Sequence, residues 1–294
     1  MAFLKMISIV LPAHNEARVI GRTLTALTSG ALPDELDLVV VCNGCTDDTA
    51  AIARGFGTSV RVIETPIANK VHALNLGDQA AQGFPRVYVD ADVIVSLSTI
   101  RALAQCLEKP GIIAAAPTPD FDLKGCSWPV RAFYFIRRQL PSFGEGIGGS
   151  GVYALSELGR QRFGAFPNLV ADDTYVRIQF RPEERETLRS VRSIVYPPRT
   201  IQNLIAIEAR ADFGTFELAR RDPDLWNNKG PGNGKALVNL LKHPLYWLQL
   251  FTYCYVRAAA RRRAKVRLHA DAFVWERDET SRNPAQTPSP SSTP

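Results

Sequence analysis

Short apolar runs alternate with amphipathic segments along the first third of the chain. The apolar runs cover residues 7–11, 38–42, 60–64 and 86–89, and segments with helical spacing cover residues 17–28 and 47–54. Continuous apolar runs of this length are typical of strands covered on both faces, and their alternation with helices indicates a parallel sheet. The pattern therefore predicts an α/β fold with interior parallel strands.

Polar residues and glycines mark where the two helices begin and end. Asn15 and Thr46 are predicted N-caps, since short polar side chains accept hydrogen bonds from the first free amides of a helix, and Gly30 and Gly55 are predicted stops.

From residue 117 to residue 151, proline, glycine and aromatic residues replace the regular alternation. The pattern predicts that the winding of strands and helices ends there. Farther along, it predicts a helix over residues 173–180, a polar segment over 181–189 and a strand over 191–196.

The last part of the chain combines an aromatic, apolar stretch with a basic one. Residues 236–256 are interrupted by Lys242, His243 and Pro244, whereas a bilayer-spanning helix needs about 18 to 20 consecutive apolar residues. Two interpretations of this stretch and the basic residues 257–267 stay open: peripheral contact with an anionic membrane, or a core helix followed by a solvated basic helix. Residues 283–294, which contain mainly proline, serine and threonine, are predicted to be disordered.

Composition narrows the functional class only slightly. Of the 294 residues, 46% are apolar, enough for a sizeable core, and the net charge of +6 suits phosphate-bearing partners without selecting one. Five cysteines and no cleavable apolar leader behind Met1 indicate a reducing compartment and free thiols. We expect a cytoplasmic protein, with the inner face of the membrane as an alternative location, and no nucleic-acid partner.

The first candidate for chemistry is the triplet Asp90, Ala91 and Asp92. It follows the predicted strand 86–89, so both carboxylates lie at the carboxyl end of a parallel strand, where open α/β sheets place their ligands. Two carboxylates one residue apart can converge on one hard cation, which in turn binds phosphate oxygens. Alone, the triplet is equally a strand-end turn with a capping aspartate.

Three further blocks precede this triplet, at residues 7–16, 39–49 and 69–77. Together with the triplet and in this order, they resemble the family 2 glycosyltransferases, which have the GT-A fold. The resemblance covers roughly residues 7–214. It implies a nucleotide-diphospho-sugar transferase with a mixed, mainly parallel sheet, flanking helices and a C-terminal helical extension.

The resemblance also assigns residues to the donor site, where a divalent cation, Mn²⁺ or Mg²⁺, is expected at Asp90 and Asp92. The residues expected to bind the nucleotide-sugar, for which a UDP-sugar is the favoured donor, are Pro12, Ala13, Asn15, Glu16, Asn43, Lys70, Asp90, Ala91 and Asp92.

On the acceptor side, the resemblance matches Asp173 to the catalytic base of an inverting transfer. A carboxylate there takes the proton of the acceptor hydroxyl as that oxygen attacks the anomeric carbon. Three residues are assigned to support or acceptor binding: Asp172, Arg210 and Gly149, of which Gly149 lies in the glycine-rich loop 144–151. Without the preceding blocks, Asp172 and Asp173 would be interpreted as acids that cap a helix.

The sequence departs from the family at two places. Where the family usually has an aspartate after its second strand, this chain has Cys42 and Asn43, and Cys42 with Cys45 also forms a C-x-x-C pair, which a redox or zinc site would use. Of the family's Gln-x-x-Arg-Trp segment only Arg210 is matched, with Gly214 nearby, so a processive polymer synthase is not expected.

These features predict an inverting enzyme that transfers a single sugar to a carbohydrate or lipid-linked acceptor hydroxyl, in cell-envelope, polysaccharide or glycolipid biosynthesis. The alternatives are a nucleotidyltransferase of the same fold and a non-catalytic, membrane-associated scaffold. The predicted domain is residues 1–220, with a nucleotide half at 1–95 and an acceptor half at 96–220. A basic helical extension at 221–282 and the disordered tail at 283–294 follow it.

Overall fold

The computed structural model describes residues 6–145 and 147–269. Eight strands form one sheet in the order β3-β2-β1-β4-β7-β6-β8-β5. Their bounds are β1 Ile7–Ala13, β2 Leu36–Asn43, β3 Val60–Thr65, β4 Arg86–Val89, β5 Ile94–Val95, β6 Ala114–Phe121, β7 Val152–Leu155 and β8 Arg185–Val195.

The predicted parallel sheet is confirmed in the first third of the chain. β1 lies between β2 and β4 and pairs with both in parallel, and β2 pairs in parallel with β3. All seven residues of β1 are buried, which explains its unbroken apolar sequence. Three helices connect these strands: α1 Ile20–Thr28, α2 Thr49–Arg54 and α3 Lys70–Ala80.

The predicted helix caps at Asn15 and Thr46 are wrong. α1 begins at Ile20 rather than near residue 17, and α2 begins at Thr49. Asn15 has a φ of 53°, and its side-chain oxygen accepts a hydrogen bond from the Thr46 amide over 2.7 Å. The two residues thus join two loops at the end of the sheet, because a short polar side chain can satisfy a distant loop amide as well as a helix amide.

The expected end of regular structure at residue 117 is also wrong. β6 runs on to Phe121 and pairs in parallel with β8, with an irregularity between Pro117 and Thr118, while β7 pairs antiparallel with both β4 and β6. β8 begins at Arg185, inside the segment that the sequence marks as polar. β5 pairs antiparallel with the end of β8. The helices of this part are α4 Leu97–Cys106, α5 Trp128–Arg137, α6 Glu157–Arg160 and α7 Asp172–Ile178.

Three helices complete the described chain: α8 Ile201–Arg221, α9 Gly234–Leu240 and α10 Trp247–His269. α10 packs against α5 and α8 through Leu250, Tyr253 and Val256, which join Phe133 and Leu204 in one apolar cluster. No helix in the described ranges is long and apolar enough to cross a membrane. The predicted domain boundary at residue 220 falls at the end of α8 and remains a prediction, and the predicted tail at 283–294 lies outside the described residues, as does the extension beyond His269.

Candidate functional site

The carboxyl ends of β1 and β2 lie side by side and carry the first predicted donor residues. Ala13 pairs with Cys42 in the sheet, and Pro12 and Ala13 are both buried. The loop after β1 is fastened to the loop after β2, since the Glu16 amide donates to Thr49 Oγ1 over 2.7 Å. The edge expected to face a nucleotide is therefore held by hydrogen bonds between the two loops.

Asn43, one of the residues expected to bind the nucleotide-sugar, is only 3% exposed. In the amide orientation that satisfies both of its polar atoms, its nitrogen donates to the Ala13 carbonyl over 2.8 Å and its oxygen accepts from the Asn69 amide over 3.2 Å. The side chain thus connects β1, β2 and the start of α3. These bonds assign Asn43 a positioning role at this edge.

The C-x-x-C pair is not built like a redox centre. Burial, together with the neighbouring Cys45, raises the pKa of the Cys42 thiol to about 12. A reactive dithiol needs a depressed pKa, because the thiolate is the nucleophile. Cys45 Sγ instead donates to the Ala13 carbonyl over 3.3 Å, and all five cysteines are free thiols. The geometry favours a structural role for both.

The Asp90–Asp92 turn directly follows β4, as predicted, and its backbone is fixed from three sides. The Asp90 amide donates to the Gly151 carbonyl over 2.8 Å, and Thr23 Oγ1 donates to the Ala91 carbonyl over 2.9 Å. Arg22 Nη2 donates to the Asp92 carbonyl over 3.3 Å. The side chain of Asp90 is 39% exposed, so the turn is rigid while this carboxylate is accessible.

Lys70, at the first position of α3, joins the two predicted acidic sites. Its ammonium lies 2.8 Å from Asp90 Oδ1 and 3.1 Å from Asp172 Oδ2. Burial alone would lower the pKa of Lys70, but the two carboxylates outweigh it and hold the pKa above its usual value. Lys70 is therefore a fixed cation between Asp90, predicted for the donor side, and Asp172, predicted for the acceptor side.

Asp172 and Asp173 begin α7 and differ in their surroundings. Asp172 is 8% exposed, and burial raises its pKa against the opposing effect of Lys70. Asp173 is more accessible: its Oδ1 accepts from the Thr174 amide over 2.6 Å, and its Oδ2 accepts from the Gly149 amide over 3.4 Å. The predicted base thus keeps a carboxylate oxygen directed at the glycine-rich loop.

The carboxylate oxygens of Asp90 fit a hard cation that is also bound by other ligands. Asp90 Oδ2 accepts no hydrogen bond from the described residues, and carboxylate oxygen is the ligand that Mg²⁺ and Mn²⁺ prefer. The described ranges contain no group of three or more acidic, histidine or cysteine side chains that could hold a metal alone. One or two carboxylates completed by phosphate oxygens and water are a usual Mg²⁺ arrangement.

Comparison with known proteins decides the family. The sequence profile described as "Glycosyl transferase family 2" matches residues 8–154, which is half of the chain and contains all but the first residue of β1, together with β2, Lys70 and the Asp90–Asp92 turn. The chain belongs to glycosyl transferase family 2. This confirms the resemblance seen in the sequence.

Curated relatives share only part of this family 2 chain. The 4,4'-diaponeurosporenoate glycosyltransferase of Staphylococcus aureus (strain MRSA252) is 36% identical over 93 residues, 30% of this chain and 24% of the relative. Glycosyltransferase AglE of Haloferax volcanii is 33% identical over 94 residues, 30% of this chain and 31% of the relative. The matches thus span less than a third of either relative.

Solved structures confirm the GT-A fold over more of the chain. The mannosyltransferase PcManGT from Pyrobaculum calidifontis, in complex with GDP-Man and Mn²⁺, superposes with a TM-score of 0.66 at 19% identity and covers 92% of this chain and 88% of its own. Glucosyl-3-phosphoglycerate synthase from Mycobacterium tuberculosis, in complex with Mn²⁺, UDP and glucosyl-3-phosphoglycerate, has a TM-score of 0.55 at 20% identity and covers 74% and 80%.

Two residues of this family 2 chain lie near the acids but could not be predicted from the sequence as part of the site. Tyr153, on β7, is 6% exposed, and its hydroxyl has no hydrogen-bond partner among the described residues. Burial, and after it the charge of Asp172, raise the pKa of Tyr153 well above its usual value. An isolated tyrosine inside an apolar strand looks like a core residue, so only the fold reveals a neutral donor beside the acids.

The second is Arg137, on α5, which belongs to a charged network behind the glycine-rich loop. Arg137 Nη1 donates to Glu208 Oε1 over 2.6 Å, and Arg257 of α10 donates to Glu208 Oε2 over 2.5 Å and to Asp212 over 2.6 Å. A Cβ built on Gly149 would lie 3.6 Å from Arg137 Nη2. The network therefore reaches the loop that contacts Asp173.

Arg210, which the sequence assigned to the acceptor side, is half-buried in the middle of α8. Glu208, two residues earlier on the same helix, forms the ion pair with Arg137. Gly214 allows α8 to approach α7 closely, since a Cβ there would lie 2.6 Å from the Cβ of Ala171. The structure thus gives α8 a part in placing Asp172, the residue after Ala171. Gly146, in the predicted loop 144–151, lies outside the described residues.

Proposed function

We propose that this protein is a glycosyltransferase that moves one sugar from a nucleotide-diphosphate sugar to an acceptor hydroxyl, with inversion at the anomeric carbon. The observation that carries the proposal is the position of Lys70, whose ammonium contacts both Asp90 and Asp172. Asp173 follows Asp172 directly, so the acids assigned to donor and acceptor belong to one cluster.

On the donor side, Asp90 and Asp92 would hold the cation, Mn²⁺ or Mg²⁺, and with it the donor's diphosphate. When bound, the cation neutralises charge on the departing diphosphate. Pro12, Ala13, Asn15 and Glu16 border the nucleotide from the loop after β1. Lys70 lies beside Asp90 and adds a fixed positive charge, which stabilises the negative charge that develops on the diphosphate as its bond to the sugar breaks.

On the acceptor side, Asp173 takes the hydroxyl proton while the hydroxyl oxygen forms a bond to the anomeric carbon. The bond from that carbon to the diphosphate oxygen breaks on the opposite face, and the nucleotide diphosphate keeps the electron pair. The Gly149 amide orients the Asp173 carboxylate through Oδ2. Asp172 holds Lys70 in place and does not take the proton itself.

The donor is a UDP-sugar by the resemblance, while GDP-mannose and UDP-glucose are bound by the structural neighbours. The acceptor is a carbohydrate or lipid-linked hydroxyl of cell-envelope, polysaccharide or glycolipid biosynthesis. We place the protein in the cytoplasm or at the inner face of the membrane.

A donor-hydrolysis and transfer screen tests the proposal. Wild type, Asp92→Asn and Asp173→Asn are assayed with UDP-, GDP- and dTDP-sugars, each with and without Mn²⁺. We expect one donor class to be consumed only with metal, Asp92→Asn to weaken donor binding, and Asp173→Asn to lose transfer. Release of pyrophosphate from a nucleoside triphosphate would instead indicate a nucleotidyltransferase, and no turnover of any donor would favour the non-catalytic scaffold.

A further inference from the structure

The described chain exposes an unusually apolar surface at its C-terminal helices. Six large apolar residues from the end of α9 to the middle of α10 are between 54% and 86% exposed: Leu241, Leu245, Trp247, Leu248, Phe251 and Tyr255. We call them the apolar patch. Contiguous exposed apolar surface of this kind marks a contact site, since single exposed apolar residues are common but clusters are not.

The apolar patch runs directly into positive charge along one helix face. Phe251, Tyr255, Ala258 and Arg262 are spaced by four, three and four residues, so they share one side of α10, and all are exposed. Arg261 and Lys265 are exposed beside them. α10 contains no acidic residue at all. A partner that covers this face must therefore be apolar at one end and negatively charged at the other.

We propose that the exposed face of α9 and α10 is a peripheral membrane-docking surface for an anionic bilayer. The aromatic and leucine side chains of the apolar patch enter the boundary between headgroups and acyl chains, where tryptophan and tyrosine are favoured. Arg261, Arg262 and Lys265 contact anionic headgroups. The helix lies in the plane of the interface, with its apolar patch toward the acyl chains.

The opposite face of α10 connects this surface to the candidate site. Tyr253 and Val256 are buried against α5 and α8, with Tyr253 stacked on Phe133 at a centroid distance of 5.0 Å. Arg257 is bonded to Glu208 and Asp212 of α8, and Glu208 is bonded to Arg137 of α5. The helix proposed to contact the membrane, α10, is thus packed and bonded to α8 and α5, and α5 borders Gly149. This arrangement suits an acceptor carried by a lipid.

Vesicle co-sedimentation of the full chain without substrates tests this proposal independently of the proposed function. We expect binding to vesicles of equal parts phosphatidylcholine and phosphatidylglycerol at low salt. Binding weakens by roughly tenfold or more in pure phosphatidylcholine or at about 0.5 M salt, since screening removes the headgroup attraction.

Two double variants separate the two contributions. Arg261→Glu with Arg262→Glu should weaken binding to anionic vesicles by at least about 30-fold, because each basic side chain near the surface contributes about 1 kcal/mol. Leu248→Ser with Phe251→Ser should weaken it by about tenfold or more through lost apolar burial. All four side chains are exposed, so the fold should stay intact, which circular dichroism melting checks.

The control variants make the same kinds of substitution elsewhere on the surface. Arg181→Glu with Arg189→Glu, and Leu158→Ser, alter exposed residues outside α9 and α10 and should leave vesicle binding within about twofold of wild type.

Three results would overturn the proposal. The first is no binding to anionic vesicles at low salt. The second is a dimer that Leu248→Ser with Phe251→Ser converts to a monomer while vesicle binding is unaffected, which would make the face a contact between copies. The third is binding only after the chain is truncated behind His269, which would mean that the chain's own last residues cover the face.

Discussion

The predicted donor edge and the predicted acceptor side of this protein are held in place by different physical means. Between residues 12 and 92 the positions are fixed by parallel strand pairing and by hydrogen bonds between loops, such as that from the Glu16 amide to Thr49 Oγ1. Around Asp172 they are fixed by charge, through Lys70, and by the close approach of α8 at Gly214. A single change of charge can therefore displace residues on the acceptor side, whereas displacing the backbone of the donor edge takes a steric change.

The largest effect is expected at Lys70, which joins the two regions. Lys70→Met leaves Asp90 and Asp172 without the cation between them, so the pKa of the buried Asp172, already raised, should rise further. We expect kcat/KM for transfer to fall roughly 100-fold, as for loss of one preorganised electrostatic contact. Lys70→Arg keeps the charge and should retain most of the activity. Equal losses in both variants would show that shape rather than charge matters here.

The second-largest effect is expected from a steric change at the donor edge. Gly151 has a φ of 64°, and an added Cβ would lie 2.5 Å from Val93 Cγ2 and 3.2 Å from Asp90 Oδ2. Gly151→Ala should therefore cost about 2 to 5 kcal/mol in the free energy of unfolding, from backbone strain and overpacking together, and lower transfer about tenfold by displacing Asp90.

Gly111→Ala is the matched control for this prediction. Gly111 also has a positive φ, of 82°, but no atom lies within 4 Å of its added Cβ. It should cost only the backbone strain, about 1 to 2 kcal/mol, and leave activity unchanged. Urea denaturation of both variants measures the difference, and equal costs would refute the close packing of Gly151 on Asp90.

The charged network behind the glycine-rich loop should show a smaller effect, confined to the acceptor side. Glu208→Gln removes the charge that Arg137 and Arg257 share, at a cost of about 1 to 3 kcal/mol, since Glu208 is buried while both arginines are partly exposed. We expect a raised KM for acceptor with unchanged donor affinity. Glu186→Gln, which breaks the exposed pair with Lys109, should cost at most about 1 kcal/mol.

Thiol labelling should give no sign of a reactive cysteine pair. With a pKa of about 12, roughly one part in ten thousand of the Cys42 thiol is ionised at pH 8, so it should resist iodoacetamide in the folded protein. Cys254 is exposed and should be labelled first, as mass spectrometry of digested protein will identify. Rapid labelling of Cys42, or a Cys42–Cys45 disulfide under mild oxidation, would revive the redox interpretation.

The same contrast explains which strands and contacts could be predicted from the sequence. β1, β2 and β4 are buried on both faces, so unbroken apolar runs revealed them and, with them, the Asp90–Asp92 turn. β8 begins with a polar stretch whose residues are buried or half-buried, and β6 contains two prolines, so neither produced a periodic apolar signal. The partners of Lys70 are 20 and 102 residues away along the chain, and the contact of Arg137 with Glu208 joins two helices. Such pairings depend on the tertiary fold, and local patterns do not contain them.

The roles proposed for the acids can be separated by measuring transfer and donor binding on the same Asp173→Asn protein. In these roles, Asp90 and Asp92 serve the donor while Asp173 serves the acceptor. This assignment predicts that Asp173→Asn lowers transfer by about 10² to 10⁴-fold yet binds nucleoside diphosphate and Mn²⁺ as wild type does in calorimetry, whereas Asp92→Asn weakens that binding. An Asp173→Asn variant that transfers sugar at the wild-type rate, or that loses donor binding as Asp92→Asn does, would contradict it.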